Sequence, residues 1–487
     1  MNMKMNIIKS SAKWLLGAAL VVGFTGCEDL EVENLNNPDR SKILENPAEY
    51  IQIIEGQYAT WWNGTEKSDP HWGLSVAGQS MTSSWGNWAA QDLGTIPRIQ
   101  LENTLTYARR AVMTTPWYNL NAALAGTNDV MRFITVENIP VIVDGVDRTQ
   151  EAIALGKGLQ GLALGTLGLL FDQAFAVDET SDIEAGITMV PYDQVISLAR
   201  QKLNEAIQIA STNSFNVRIF NDIGWTSAQF AQYLRTQSAK LEALSARNAS
   251  ETTSSTNWAE ILQLTNAGIQ APVNVLGDGG IVWWNRIKIQ GQDAGWAFVS
   301  SRVINMMDNR MPYPWPDGVN SLPVPSDPRD RRMTTDFRTS APPFQAARGY
   351  YFFSMYYYQR FQSYRANLNT DIVHMLVADN DLLRAEALVR TNGSKAQAAE
   401  LINKTRVTRG GLAPLTGAES NDVLLAAIVY EQLVELGWTN LHSNGFFYRR
   451  ATTVGSQQLL PGTIPHMPVP AQELNVLGLP EYSFGGA

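Results

Sequence analysis

The chain has 487 residues, 45% of them hydrophobic and 17% charged, which suits a large globular core and argues against disorder. Its net charge of −9 argues against nucleic acid as a partner. The single cysteine excludes an internal disulfide.

Residues 1–26 read as a secretory signal, with Lys4, Lys9 and Lys13, an apolar run from Trp14 to Phe24, and small residues after it. The run is too short to span a bilayer. Removing the segment takes three lysines and no acid, so the charge becomes −12. Cys27 follows Phe24-Thr25-Gly26, a sequence similar to a lipobox with Phe in its first position. We expect Cys27 to carry lipid, several acyl chains being what stable anchoring needs. The plainer alternative is a free thiol beside a cleavage site. Residues 27–45 form the tether, polar around Asn34, Asn36, Asn37 and Pro38.

Asn46-Pro47 is a cap and first-turn pair opening a helix striped by Tyr50, Ile54, Tyr58 and Trp61. Periodicity fails over about 63–99, where Trp72, Trp85 and Trp88 lie among Gly, Ser and Asn, so an irregular segment is expected. Helical signal returns from Leu101 to Phe133 and again from Glu151 to Phe171. Gly156, Gly158 and Gly161 match GxGxxG, with Asp178 at a tolerable distance for a ribose contact. A dinucleotide fingerprint needs a strand before it, however, and Gln150-Glu151-Ala152-Ile153-Ala154-Leu155 reads as helix. Gly161, Gly165 and Gly168 instead make a smooth face for a neighbouring helix, at about 1 kcal/mol each in propensity. Three further helices follow, lined by Ala199, Leu203, Ala206 and Ala210, by Phe230, Leu234, Leu241 and Leu244, and by Trp258, Ile261, Leu262 and Thr265. The last has an Asn257 to Glu260 capping pair.

Residues 271–370 read as a second irregular insertion. Met311-Pro312-Tyr313-Pro314-Trp315-Pro316 must be extended, and Tyr350 to Tyr358 could be a short strand or an interface strip. Met375, Ala378, Leu382, Ala385 and Val389 then fall on one helical face, Thr391-Asn392-Gly393 breaks it, and Ser394 with Gln397 caps a second helix carrying Ala396, Ala399 and Ile402. So short a turn makes the two helices antiparallel, with alanines allowing close approach. A final helix spans Asn421 to Leu436, with Val423, Ala427, Tyr430, Leu433 and Gly437 as its stripe. The expected fold is all-α, a tetratricopeptide-like superhelix with helical core at about 46–62, 100–270 and 371–437, all in one domain of residues 46–487.

Leu382-Leu383-Arg384-Ala385-Glu386-Ala387, Ala399 to Asn403, Arg406 and Arg409-Gly410-Gly411-Leu412 together resemble the signature of the SusD/RagB family of bacterial outer-membrane nutrient-binding lipoproteins. Asp327-Pro328-Arg329, the set Glu431, Glu435, Phe446, Phe447, Arg449 and Arg450, and the closing Met467-Pro468-Val469-Pro470 with Glu473-Leu474 fit the same pattern. Glu28-Asp29 resembles the acidic tag that sends lipoproteins of Bacteroidetes-type bacteria to the outer face. The resemblance implies a lipid-anchored protein on the exterior of the outer membrane that captures an oligosaccharide, or a peptide, for a SusC-like TonB-dependent transporter. Two other classes stay open: a helical-repeat scaffold, and a surface hydrolase.

No catalytic constellation stands out. His71, His374, His442 and His466 have no metal-ligand spacing, and GxSxG, HExxH and phosphate loops are lacking. Acid pairs such as Asp379 and Asp381 neither support nor exclude a glycosidase, because that pair is defined by distance in the fold. No metal or cofactor is expected. Tryptophan in glycine-rich, aperiodic segments suits a ligand surface, where a flat ring stacks on a sugar while nearby polar groups bond its hydroxyls. The candidate ligand residues are Trp85, Asn87, Trp88, Trp283, Trp284, Trp296 and Trp315. The competing reading makes these rings hydrophobic plugs under long loops.

Overall fold

Helices that follow one another in sequence pack side by side and set the architecture. In order they are α1 (Tyr50–Gly64), α2 (Asp69–Ala77), α3 (Ala111–Thr135), α4 (Thr149–Leu170), α5 (Tyr192–Thr212), α6 (Ser227–Ser245), α7 (Trp258–Asn266), the short α8 (Arg286–Gln290), α9 (Val377–Arg390), α10 (Lys395–Arg406) and α11 (Asn421–Val434). The structure is a computed structural model that describes residues 46–486 apart from 68, 222, 342–347, 350, 442–446, 451–452 and 455–456. Cys27 with the expected signal and tether, Tyr350, His442 and Phe446 lie outside the described residues. Contacts run α1 to α3, α3 to α4, α4 to α5, α5 to α6, α6 to α7, α7 to α9, and α9 to both α10 and α11. The fold is therefore mostly helical and tetratricopeptide-like.

α4 is the centre of this array. It is buried on nearly every side, with Lys157 and Gln160 engaged by Glu179, and although long and apolar enough to cross a bilayer, it is enclosed by protein. Its glycines let neighbours approach: a Cβ on Gly161 would lie 2.5 Å from Leu203 Cγ, one on Gly165 2.9 Å from Leu241, and one on Gly168 2.6 Å from Ile196. The GxGxxG match is thus helix interior, and Asp178 is paired with Lys202 at 2.7 Å.

The α9–α10 hairpin forms as its sequence dictates. Ser394 accepts from the Gln397 N–H, and Ala385, Val389, Ala399 and Ile402 share one buried cluster. Two details differ. Met375 belongs to a strand, and Ala398 rather than the exposed Ala396 faces the partner helix. In α11 the expected stripe holds except at its start: Val423 is exposed, Ala427, Leu433 and Gly437 are buried, and the buried face also takes in Leu424, Ile428 and Glu431. Glu431 and Glu435 are buried by pairing with arginines, which a stripe drawn from apolar residues alone leaves out.

The segment 63–99 is not loop throughout. Every residue of α2 is buried, which leaves no polar face and hence no periodicity to detect, and Ala90–Gly94 adds a further turn of helix. Conversely residues 101–110 form turns, and α3 begins only at Ala111. Short antiparallel strand pairs order the insertions: β1 (Met81–Thr82) with β3 (Phe298–Val299) joins the first to the second, β2 (Val273–Leu276) with β6 (Asp371–Met375) closes the ends of the second, and β4 (Phe337–Thr339) with β5 (Tyr356–Tyr358) lies within it. The aromatic run around β5 is core, with Tyr351, Phe353, Tyr356 and Tyr358 all buried.

The C-terminal segment clamps the start of α3. Asn103 donates to the carbonyls of Val469 (2.9 Å) and Tyr482 (2.8 Å) and accepts from the Ala471 N–H (2.9 Å). The Met467 N–H reaches the Leu170 carbonyl at the end of α4 at 2.8 Å.

Candidate functional site

The β1–β3 register decides which tryptophans meet. Met81 opposes Val299 and Thr82 opposes Phe298, and continuing this antiparallel count past the strands brings Trp85 opposite residue 295. The Trp85 indole N–H accordingly donates to the Gly295 carbonyl at 2.8 Å, and the Ser83 hydroxyl to that of Trp296 at 2.8 Å. Ring centroids of Trp85 and Trp296 are 5.5 Å apart, as are those of Trp88 and Trp296. Trp88 also rests on the fully buried Trp72, 4.5 Å away.

Two consecutive non-glycine residues in the left-handed region turn the chain here: Trp88 has φ 57° and Ala89 φ 56°. Such conformations cost of order 1–3 kcal/mol each and persist only where the surroundings enforce them. Arg109 contributes to that enforcement. It pairs with Asp92 at 3.0 Å and bonds Gln91 at 3.2 Å, while its guanidinium lies so close to Gly86 that any side chain there would collide with it. Asn87 is exposed at the tip, and Trp85, Trp88 and Trp296 are half-buried.

Trp284 joins this row through a guanidinium. Arg286 sits 5.0 Å from the Trp88 ring and 5.2 Å from the Trp284 ring, and pairs with Asp69 at 3.4 Å. Burial lowers the Arg286 pKa and raises that of Asp69. The turn carrying Trp283 and Trp284 hangs on Asp278, whose carboxylate accepts from the N–H groups of Ile281, Val282 and Trp283. Asn285 caps α8 through the Lys288 N–H and donates to Glu66 at 2.9 Å. Glu66 is buried beside His71 at 3.4 Å; burial opposes its ionisation, but the His71 hydrogen bond and the charges of His71, His374 and Lys288 bring its pKa down to about 2. Burial lowers Lys288 to about 8.

The other candidates sit elsewhere. Trp283 is buried against Trp62, at 5.7 Å, and Phe220. Trp315 is buried in the core, donating to the Val319 carbonyl at 2.7 Å. Their rings are packed on protein because both fall where insertion strands close over apolar residues. Sequence reading missed Arg286, Arg348 and Lys67 around the exposed rings; Trp284-Asn285-Arg286 adjacency was the available signal. A separate cleft of about 900 Å³, lined by Ile139, Arg148, Asn213, Phe215 and Asn216 among others, lies at the far end of α3 and holds no tryptophan. Among the described residues no group of three or more His, Cys, Asp and Glu is arranged to hold a metal ion.

Comparison with solved structures finds close agreement over nearly the whole chain. A SusD superfamily protein from Parabacteroides distasonis superposes with a TM-score of 0.62 at 14% identity, covering 88% of this chain and 97% of that one. A second, from Bacteroides vulgatus, gives 0.57 at 13% identity, covering 90% and 97%. This chain has the SusD-superfamily fold. A SusD-like carbohydrate binding protein from Bacteroides vulgatus matches with a TM-score of 0.50 at 13% identity, covering 81% of each chain. Neither a scan against protein-family models nor a search of curated proteins finds a match.

Within the SusD-type fold, the residues that resemble the SusD/RagB signature are braces. Asn403 exchanges two bonds with Leu415, Arg406 reaches the Ala413 carbonyl, and Arg409 pairs with Asp336 (2.6 Å) and Glu435 (2.8 Å). Arg450 holds Glu386 at 2.7 Å. Asp327 pairs with Arg310 at 2.9 Å. These contacts fix the helical pairs against the insertions and leave the tryptophan row as the distinctive surface.

Proposed function

We propose that this protein is a non-enzymatic, lipid-anchored nutrient-binding protein of the outer membrane exterior, which captures an oligosaccharide on the tryptophan row and delivers it to a SusC-like TonB-dependent transporter. Signal, tether and binding domain would be residues 1–26, 27–45 and 46–487, with lipid on Cys27. The observation that carries the reading is the contact of Trp85 and Trp88 with Trp296 beside exposed Asn87 on this fold. Half-buried indoles next to amides suit a sugar, whose ring faces are apolar and whose hydroxyls want partners. The carbohydrate-binding neighbour supports a glycan over a peptide. Asp379 and Asp381 are engaged by Lys240 (2.7 Å) and Lys404 (2.9 Å), which argues against that acid pair as a hydrolytic centre.

The test is calorimetric titration of the wild type and of Trp85→Ala with oligosaccharides, with product analysis alongside. Binding without cleavage, weakened about tenfold by the substitution with little change in melting temperature, is expected. Unchanged affinity with a large stability loss would make Trp85 a plug, and release of shorter sugars would make the protein a hydrolase.

A further inference from the structure

The half-buried rings are accompanied by cations. Arg348 lies 4.3 Å over Trp85, Arg286 lies between Trp88 and Trp284, and the Lys67 ammonium is 5.9 Å from the Trp284 ring. These cations differ in how they are balanced. Arg286 has Asp69, Arg109 has Asp92, and Arg365 has Asp293 at 2.8 Å. Arg348 and Lys67 have no carboxylate within ion-pair reach among the described residues. Lys67 bonds the Ile281 carbonyl at 2.8 Å; Asp278 acts on it only through space, its oxygens taken by three backbone N–H groups. Among the described residues Arg348 has the Trp85 ring as its side-chain partner.

Two unmatched cations at two points of an aromatic row are unexpected in a chain of net charge −9. Ring stacking holds a guanidinium in place without consuming its N–H donors, so its fork stays free for a planar or tetrahedral anion. We propose that the row takes an anionic oligosaccharide, one bearing carboxylate or sulfate groups, with Arg348 and Lys67 as the anion contacts and the indoles stacking on the sugar rings between. This inference rests on the reading of the tryptophan row as the ligand face. The local field would also speed capture of such a ligand by a protein that is elsewhere acidic.

Calorimetry on the full-length protein in detergent tests it with three probes: an oligogalacturonate, a chondroitin sulfate oligosaccharide and a neutral malto-oligosaccharide, each at low and high salt. Binding of an acidic probe at least about tenfold tighter than the neutral one, and weakening with salt, is expected. The first probe carries carboxylates alone and the second carboxylates and sulfates, so tighter binding of the second assigns the contact to sulfate and equal or tighter binding of the first assigns it to carboxylate. Arg348→Gln and Lys67→Gln should each weaken that binding about tenfold without moving the melting temperature, and Arg348→Lys should restore part of it. Salt-independent binding, neutralised variants that bind like wild type, or a neutral probe bound as tightly would overturn the proposal and make the cations braces for the rings. Neutral sugar bound in a Trp85-dependent way with no preference for acid overturns this inference alone. No binding of any probe overturns it together with the reading beneath it.

Discussion

Arg332 and Glu431, 99 residues apart, form a two-pronged ion pair at 2.8 and 2.9 Å with neither side chain exposed to solvent. Arg332 also holds Asp330 at 2.7 Å and Glu435 at 3.1 Å, and Arg360 and Arg409 close the group around Glu435. Three carboxylates around a shared guanidinium are affordable only because further arginines share the load. Burial opposes the Glu435 charge, yet the arginines outweigh it and lower its pKa.

Glu431→Ala removes the two-pronged partner of a fully buried guanidinium, which Asp330 and Glu435 then hold alone. Breaking a buried pair costs about 3–5 kcal/mol. Urea denaturation should show a loss of that size, and a loss below about 1 kcal/mol would mean that water reaches the pair.

Acid should destabilise the protein through His374. Burial, then the charges of Lys240 and Lys288, lower its pKa to about 4 from 6.5, so the folded form holds it neutral while the unfolded chain takes a proton. Its contribution is whole above 6.5 and is lost as the pH falls towards about 4. Glu66 acts lower down: its carboxylate favours the folded state above the ordinary 4.5, and that share is lost as the pH falls towards about 2. Measured by urea midpoints, the wild type should lose on the order of 2–3 kcal/mol more than His374→Gln over the histidine range. His466, lowered to about 3 by burial, keeps part of the slope in both proteins.

Gly56 and Gly161 should respond oppositely to alanine. Both are helix-interior, and alanine is favoured there by about 1 kcal/mol. Nothing lies within 4 Å of a Cβ on Gly56, so Gly56→Ala should stabilise by up to that amount. A Cβ on Gly161 meets Leu203 and, at 2.9 Å, the Ala199 carbonyl oxygen, which is backbone and cannot rotate away. Overpacking costs about 1–3 kcal/mol, so Gly161→Ala should lower the melting temperature.

Cys27→Ser tests the anchor. Labelled fatty acid should enter the wild type alone, and the variant should leave the membrane fraction for the soluble one. Equal retention of both would place the attachment elsewhere.

Sequence periodicity revealed α5, α7 and the α10 half of the hairpin because each has a polar side to contrast with its buried one, and α4 by the length of its apolar run. It failed for α2, which has no exposed residue, and in α11 it passed over Glu431, which takes a core position because Arg332 pairs with it. The tryptophans drew attention as residue types. Their assortment into Trp85, Trp88 and Trp296 on one side and Trp283 and Trp315 in core depends on a strand register between positions more than 200 residues apart. Such pairings leave no local trace.

Asn103 completes its bonds with Val469, Ala471 and Tyr482 only once residue 482 exists, 379 positions later. A chain made from its N-terminus therefore has α3 and α4 finished long before the segment that clasps them has been synthesised, and no earlier stretch supplies those partners. Closing so long a loop is entropically unfavourable and slow. The nascent protein would stay unclasped until residue 482 has been made, which suits the exported chain proposed above, and disruption of that segment would leave α3 and α4 formed but without these partners.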